Sequence, residues 1–411
     1  MERVVITGMG TINSLGNSVN ETWDAITHGR SGVGPITLFD ATDFQVKIAC
    51  EVKNFNPDKF MPSKEARRRD RFEQFAAVAA AEAIQQSGLV INEENAGRTS
   101  VIVSSAIGGF TSLIEGEHTL LEQGARRVSP FLITMLMSNG AAGMLAIDYG
   151  MKGPSFSVAS ACASGADGIG VAWLLLRAGV IDVAVAGASE ATITPLGIAA
   201  FDKVGATSRR NEDYSMTPQP FDRNRDGLVM GEGAGILVLE RESHARARGA
   251  NILAELAGYG SSSDAYHITA PSENGEGGAR AIRTTLEAAR VNLDEVDYIN
   301  AHGTATVLND LSETKAIKAA FGNFAYNIPV SSTKSMTGHM MGATGALEMI
   351  FCVQTVCEGL IPPTIHYQTP DPECDLDYVP NQAREKPVHI ATSNAFGFGG
   401  HNAVLVVRSY L

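Results

Sequence analysis

The chain has 411 residues, 32 of them Lys or Arg and 45 Asp or Glu, for a formal net charge of -13. At about 150 residues per domain this length holds two or three domains or one large double domain. The balance of 44% hydrophobic and 19% charged residues excludes a disordered, collagen-like or coiled-coil chain, and an acidic molecule lacks the basic field that nucleic acid or anionic lipid requires.

The first predicted element is a strand, Val4 to Thr7, entered two residues from the start. That start is read as leaving no room for a leader peptide, so a cytoplasmic protein is expected. Gly8-Met-Gly10 then looks like a dinucleotide loop, but the third glycine of G-x-G-x-x-G falls at Asn13, and nicotinamide binding is rejected. A helix is predicted over Lys64 to Ser87, opened by Ser63 and closed by Gly88, with Phe72, Phe75 and Ala79 at helical spacing. Two uncharged stretches follow, Val128 to Ile147 and Pro387 to Val407. Pro130, Asn139 and Gly140 break the first; Asn394, several glycines and two histidines break the second, so no membrane span is expected.

Further strands are predicted at Ser100 to Ser104, Ser155 to Ser160, Val183 to Ala188, Gly235 to Leu239, Ile252 to Gly258, Val296 to Asn300, Pro329 to Ser332, Ile390 to Ser393 and Ala403 to Val407. Strand and helix alternate, which predicts a mainly parallel sheet wrapped by helices. Two segments read as copies of one unit of strand, small-residue turn and Ala/Gly-rich helix: Ser157 to Leu176 around Cys162, and Val330 to Val356 around His339. Helices with small residues all round pack closely against other backbone at the centre of a molecule. Two related halves are therefore expected, residues 1–250 and 251–411, with the seam in the charged segment Arg241 to Gly249.

Cys162 sits where a strand ends and a helix begins, so amide N–H groups and the helix dipole favour its thiolate, as a nucleophile requires; the alternative is a small buried hydrophobe. The five cysteines are odd in number and include no C-x-x-C, so neither a disulfide framework nor a zinc site is indicated. Cys352 and Cys357 read as structural. His302, in Ala-His-Gly-Thr after a strand, and His339, in the turn of the second unit, stand where α/β sites form, with Lys334 and Glu348 near in sequence. Their spacing matches no metal-ligand motif, and no metal is expected. The glycines from Asn394 to Asn402 let backbone N–H groups act as an oxyanion hole, or form a plain hairpin loop. Asp222 to Gly227 begins like a calcium loop, but Gly233 takes the twelfth position and calcium is rejected. Basic clusters, Lys64 with Arg67, Arg68, Arg69 and Arg71, then Arg126-Arg127, then Arg209-Arg210, are either solvated helix faces or a docking patch for an acidic partner.

Taken together, Ala-Cys162-Ala-Ser-Gly, His302-Gly-Thr-x-Thr, Ser-Thr-Lys334-Ser-x-Thr-Gly-His339, Pro220-Phe-Asp222 with Gly231-Glu-Gly-Ala, and Asn394 to Asn402 resemble the β-ketoacyl-acyl carrier protein synthases of the elongating type, closest to their synthase II branch. The resemblance covers nearly the whole chain. It implies an α/β thiolase-like fold of two halves in five alternating layers (αβαβα), a homodimer, and an acyl carrier protein as partner. It also implies that Cys162 takes an acyl chain as a thioester and condenses it, with loss of carbon dioxide, with a malonyl group on the carrier. No cofactor is implied beyond the carrier's phosphopantetheine.

By the same resemblance, His302 and His339 bind the malonyl thioester carbonyl, Lys334 and Glu348 organise them, and the amides of Cys162 and Phe398 form the oxyanion hole. Thr304 and Thr306 bind the pantetheine arm, Phe201 and Phe396 contact substrate, Phe398 gates the pocket and Ile107 limits its depth. Lys64, Arg67, Arg68, Arg126, Arg127 and Arg209 would dock the carrier. Ala305, Val307, Ala395 and Met340-Met341 depart from the usual pattern, which leaves acyl preference and a related polyketide or polyene pathway open. A degradative thiolase would place a second cysteine where His401-Asn402 stand. A non-catalytic chain-length partner would lack Cys162, and a Cys-His hydrolase would release free acid.

Overall fold

The computed structural model describes residues 2–410. Its centre is a ten-stranded sheet: β1 (Val4–Asn13), β2 (Thr99–Ser104), β3 (Ser155–Phe156), β4 (Val183–Glu190), β5 (Gly233–Arg241), β6 (Ala254–Ser263), β7 (Tyr298–Asn300), β8 (Val330–Ser331), β9 (Ile390–Gly397) and β10 (His401–Ser409). The spatial order is β8-β7-β9-β10-β6-β1-β5-β4-β2-β3. Numbered within each half, both halves run third, second, fourth, fifth, first, and the two first strands join them through an antiparallel pairing of Val4 to Ile6 with Leu256 to Ala254.

All ten predicted strands are present, but the sheet is mixed and not mainly parallel. In each half the second strand pairs in parallel with the third and fourth, while the fifth runs antiparallel to both the fourth and the first. In the second half the reason is local. The tight connection from Gly397 to His401 is a hairpin, and a hairpin can join only antiparallel neighbours.

Most strands are buried on both faces, which explains their continuous apolar runs. Along β4, Val183 and Val185 enter one core cluster while Ala184, Ala186 and Ala188 enter another, following the two-residue period of a strand. The bulky residues face an outer helix, α1 (Arg71–Ser87). The small ones face two central helices, α2 (Ser164–Arg177) and α5 (Thr344–Glu358), which touch each other and strands of both halves. On the second half, α3 (Glu276–Ala289) covers β6 and β10, and α4 (Val307–Phe321) packs on α3. Helix, half-sheet, helix pair, half-sheet, helix is the five-layer arrangement expected. The small central helices do approach backbone to backbone: a Cβ on Gly165 would lie 3.0 Å from the Ala346 nitrogen, and one on Gly345 would lie 3.1 Å from the Ala166 nitrogen.

Three local expectations are corrected. The helix foreseen over 64–87 is broken, because Asp70 starts a new one: its side chain accepts the Phe72 N–H while Glu73 accepts the Asp70 N–H, a capping box that ends the short turn Ser63–Ala66. Ser63 is the first residue of that turn and not its cap, whereas Gly88, at φ 62°, does close α1. The strand from Ser155 stops at Phe156. Gly8 and Gly10 lie inside β1 and let α1 approach, since a Cβ at Gly10 would come within 2.0 Å of the Ala79 carbonyl oxygen. Asp222, the first residue of the calcium-like motif, is occupied by the N–H groups of Asn224, Gln368 and Thr369.

Candidate active site

The chemistry-bearing residues gather at the carboxyl ends of strands. Cys162 follows β3 and precedes α2, His302 follows β7, and His339 lies beyond β8 after a short turn of helix, Lys334–Thr337. Phe398 stands in the turn between β9 and β10. Strands β7, β8 and β9 are neighbours, which brings His302, His339 and Phe398 together; the contact of α2 with α5 delivers Cys162 from the other half. The backbone before Cys162 is strained, with Ala161 at φ 51°, a region that non-glycine residues rarely occupy.

Sγ of Cys162 and ring nitrogens of His302 and His339 all lie within 4.8 Å of one another. The two imidazoles meet edge to face with centroids 5.3 Å apart. All three open into one cavity of about 270 Å³, lined also by Phe201, Thr304, Thr306, Met341, Phe396 and Phe398. Thr304 and Thr306 hydrogen-bond each other through their hydroxyls at 2.9 Å. Lys334 and Glu348 lie beneath this site, each 1% exposed, as an ion pair with Nζ to Oε1 of 2.6 Å.

Burial dominates the electrostatics. The Cys162 thiol is pushed up to about 11 by desolvation, against the pull of the Phe398 amide, the Lys334 charge and its own amide. This corrects the expectation of a favoured thiolate: α2 begins two residues later, and amides and dipole lower the pKa less than burial raises it. The same two amides face the sulfur, in the positions assigned to the oxyanion hole. His302 is held well below the usual histidine range by burial, then by Lys334 and His339; His339 is lowered by burial and Lys334. Both rings are neutral at neutral pH, each carrying one proton to donate. Glu348 is raised to about 7 by burial despite Lys334. The sulfur and two imidazoles form a donor set that fits a soft divalent cation, but the Lys334 charge acts on all three and opposes a metal there.

The structure does not bring every expected residue to the cavity. Ile107 does not line it: the residue is 39% exposed, and its amide N–H points to Glu190 at 3.3 Å. Among the basic residues, Lys64, Arg67, Arg126 and Arg127 are exposed, and Arg68 stacks over Phe131 at 4.9 Å. Arg209 bonds Asp202, on the short helix Pro195–Val204 that supplies Phe201 and Val204 to the cavity. Arg69 and Arg71 leave the cluster. Arg69 is buried with Asp148 at 2.6 Å, and Arg71 pairs with the buried Glu232 at 2.6 Å.

Two buried carboxylates escaped the sequence reading. Glu313 accepts the N–H groups of His302 at 2.8 Å and Gly303 at 2.7 Å, with Asn394 Nδ2 at 3.1 Å, so it shapes the turn that presents His302. Glu190 accepts from the Ser105 hydroxyl and the amides of Ala106, Ile107 and Gly342. The signal for Glu313 was a pair of acidic residues, Asp310 and Glu313, three apart on an otherwise buried helix face just after the histidine motif.

A Cys-His-His site where two copies of one five-stranded half meet defines the class of thiolase-like ketosynthases. Residues 1–245 match the β-ketoacyl synthase N-terminal domain and residues 253–368 its C-terminal domain, and the chain belongs to the β-ketoacyl synthase family. It is 48% identical over 409 residues to 3-oxoacyl-[acyl-carrier-protein] synthase 2 of Synechocystis sp., covering 100% of this chain and 98% of that one. The enzyme of the same name from Staphylococcus aureus is also 48% identical over 409 residues, covering 100% and 99%. Among solved structures, a β-ketoacyl synthase from Burkholderia phymatum matches with a TM-score of 0.92 at 36% identity over 100% of both chains. A type II polyketide ketosynthase, in complex with its acyl-carrier protein and bound to the hexaketide, matches with a TM-score of 0.91 at 36% identity, again over 100% of both.

Proposed function

We propose that this chain elongates acyl chains in fatty acid synthesis by decarboxylative Claisen condensation on an acyl carrier protein. The observation that carries this reading is the convergence of Cys162 Sγ with both imidazoles in one cavity, in a chain 48% identical over its full length to 3-oxoacyl-[acyl-carrier-protein] synthase 2. Cys162 attacks the carbonyl carbon of the acyl-carrier thioester, the bond to pantetheine sulfur breaks, and the carrier leaves as a thiol with the cysteine's proton. Malonyl carrier then enters. N–H groups of His302 and His339 donate to its thioester oxygen, the bond to the carboxylate breaks, and carbon dioxide departs while its electron pair forms the enolate. The enolate carbon attacks the acyl carbonyl on Cys162 and forms the new C–C bond, and the amides of Cys162 and Phe398 hold the resulting oxyanion. Its collapse breaks the C–S bond, the departing Cys162 sulfur taking a proton from water.

Lys334 and Glu348 organise the histidines on this reading, Phe398 gates entry, and no cofactor is needed beyond the carrier's phosphopantetheine. Five free cysteines suit a reducing cytoplasm, and none of the described helices is long and apolar enough to cross a membrane. Exposed Leu113, Leu120, Leu121, Ile133 and Ile147 support burial against a second copy as a homodimer. Carbon dioxide and β-ketoacyl carrier formed from acyl carrier plus malonyl carrier is the expected result, with the ketoacyl product abolished in Cys162→Ala. Free fatty acid in place of ketoacyl product would reject it. A product extended repeatedly without reduction would assign the chain to polyketide synthesis.

A further inference from the structure

The two histidines of the site are held differently. Nδ1 of His302 is buried and has no hydrogen-bond partner among the described residues. Nδ1 of His339 lies 3.0 Å from the hydroxyl oxygen of Thr344, both residues being at most 2% exposed. Thr344 is the first residue of α5, yet its hydroxyl does not cap the helix: the N-cap is Ala343, with no side-chain capping bond. Among the described residues, His339 Nδ1 is its one partner.

A hydroxyl carries one proton, and a buried O–H with no acceptor is costly. If Nδ1 carried the ring proton and donated it to Oγ1, the Thr344 proton would be left without an acceptor. If Thr344 donates, both groups are satisfied and the ring proton must sit on Nε2. From the geometry we infer that Thr344 is a positioning residue: it fixes His339 as the Nε2–H tautomer, so that the ring always presents a donor toward the substrate. His302, whose Nδ1 has no such partner, keeps the freedom to change tautomer. The inference rests on the proposed role of His339 as donor to the thioester oxygen, since only a donor needs its proton held on that nitrogen.

The test compares Thr344→Val, which removes the hydroxyl at similar shape, with Thr344→Ser, which keeps it. In Thr344→Val, turnover with malonyl carrier should fall roughly ten- to hundredfold with little change in KM, while Thr344→Ser stays within about threefold of the parent. Acylation of Cys162 from acyl carrier should be unaffected in both. Histidine 15N spectra of the parent should show the His339 proton on Nε2, with a mixture of tautomers in Thr344→Val. Parent-like turnover in Thr344→Val, equal damage in the Val and Ser variants, or a proton on Nδ1 in the parent would each overturn the inference. Should Thr344→Val fail to fold, the parent spectrum and the Ser variant decide it. His339→Ala separates the two levels: unimpaired decarboxylation there removes the proposed role of His339 itself, whereas its loss alongside an active Thr344→Val removes only the role of Thr344.

Discussion

Cys162 shows how one residue's chemistry follows from competing terms of different size. A helix start and two amides favour the anion, but burial disfavours it more, and the resting group is a thiol. The reactivity of Cys162 toward iodoacetamide should therefore still climb between about pH 8 and about pH 10, because the attacking species is the thiolate. A plateau below about pH 8, measured by mass spectrometry of the Cys162 peptide, would show the thiol to be activated in the resting state. The histidines carry the other half of the reaction. In His302→Ala or His339→Ala, removal of one donor to a developing oxyanion should slow decarboxylation about 100- to 1000-fold, while labelled acyl groups still accumulate on Cys162. Carbon dioxide release at the parent rate from both variants would contradict this division of labour.

At the scale of elements, small residues control how closely the layers approach. The Gly10 face of β1 touches the carbonyl of Ala79 on α1, so Gly10→Ala forces the helix outward and should cost about 1–3 kcal/mol. A lowered urea midpoint with unchanged slope would report that cost, and an unchanged midpoint would show that the layers can separate freely. The end of β5 is held differently. Buried Glu240 accepts from the Thr7 hydroxyl at 2.5 Å, His244 at 2.6 Å and Arg248 at 2.5 Å. Burial alone would raise its pKa, yet these partners together hold it at about 2, against an ordinary 4.5. A depressed carboxylate adds stability above its unfolded pKa and loses it as pH falls through the folded one, here between about pH 4.5 and about pH 2. The shift corresponds to on the order of 3 kcal/mol. Glu240→Gln should be less stable than the parent at neutral pH, and the difference should shrink across that acid window. A constant difference at every pH would assign the loss to packing.

At the scale of the whole molecule, a net charge of -13 sets the exposed basic residues apart. Lys64, Arg67, Arg126 and Arg127 are exposed, the stacking of Arg68 on Phe131 joins their two runs, and Arg209 borders the helix that lines the cavity. An acidic carrier would be drawn to these residues by forces screened over about 8 Å at physiological salt. Charge reversal at Lys64, Arg67 and Arg126 should raise the apparent KM for carrier-bound malonate far more than for a small pantetheine thioester, and added salt should mimic it. Equal effects on both substrates would remove these residues from docking.

Cys162, His302 and His339 could be read from the sequence because each stands in a turn of small residues between a strand and the next element, a local pattern that needs no knowledge of distant contacts. The ten strands were legible for the same reason, since burial on both faces writes itself as unbroken apolar runs. Pairing direction was not, because it depends on which strands become neighbours, and only the hairpin at Gly397 to His401 and the joining of β1 to β6 settle that. The thiol's resting state, the capture of Arg69 and Arg71 in ion pairs, and the position of Ile107 outside the cavity were equally out of reach. Each depends on what other parts of the chain bring alongside: desolvation around Cys162, Asp148 and Glu232 beside the arginines, and Glu190 beneath the Ile107 turn. The sequence by itself determined which groups this protein has and the local backbone that carries them. Tertiary structure alone decided their protonation and their partners, because burial and charge act through space between residues far apart in the chain.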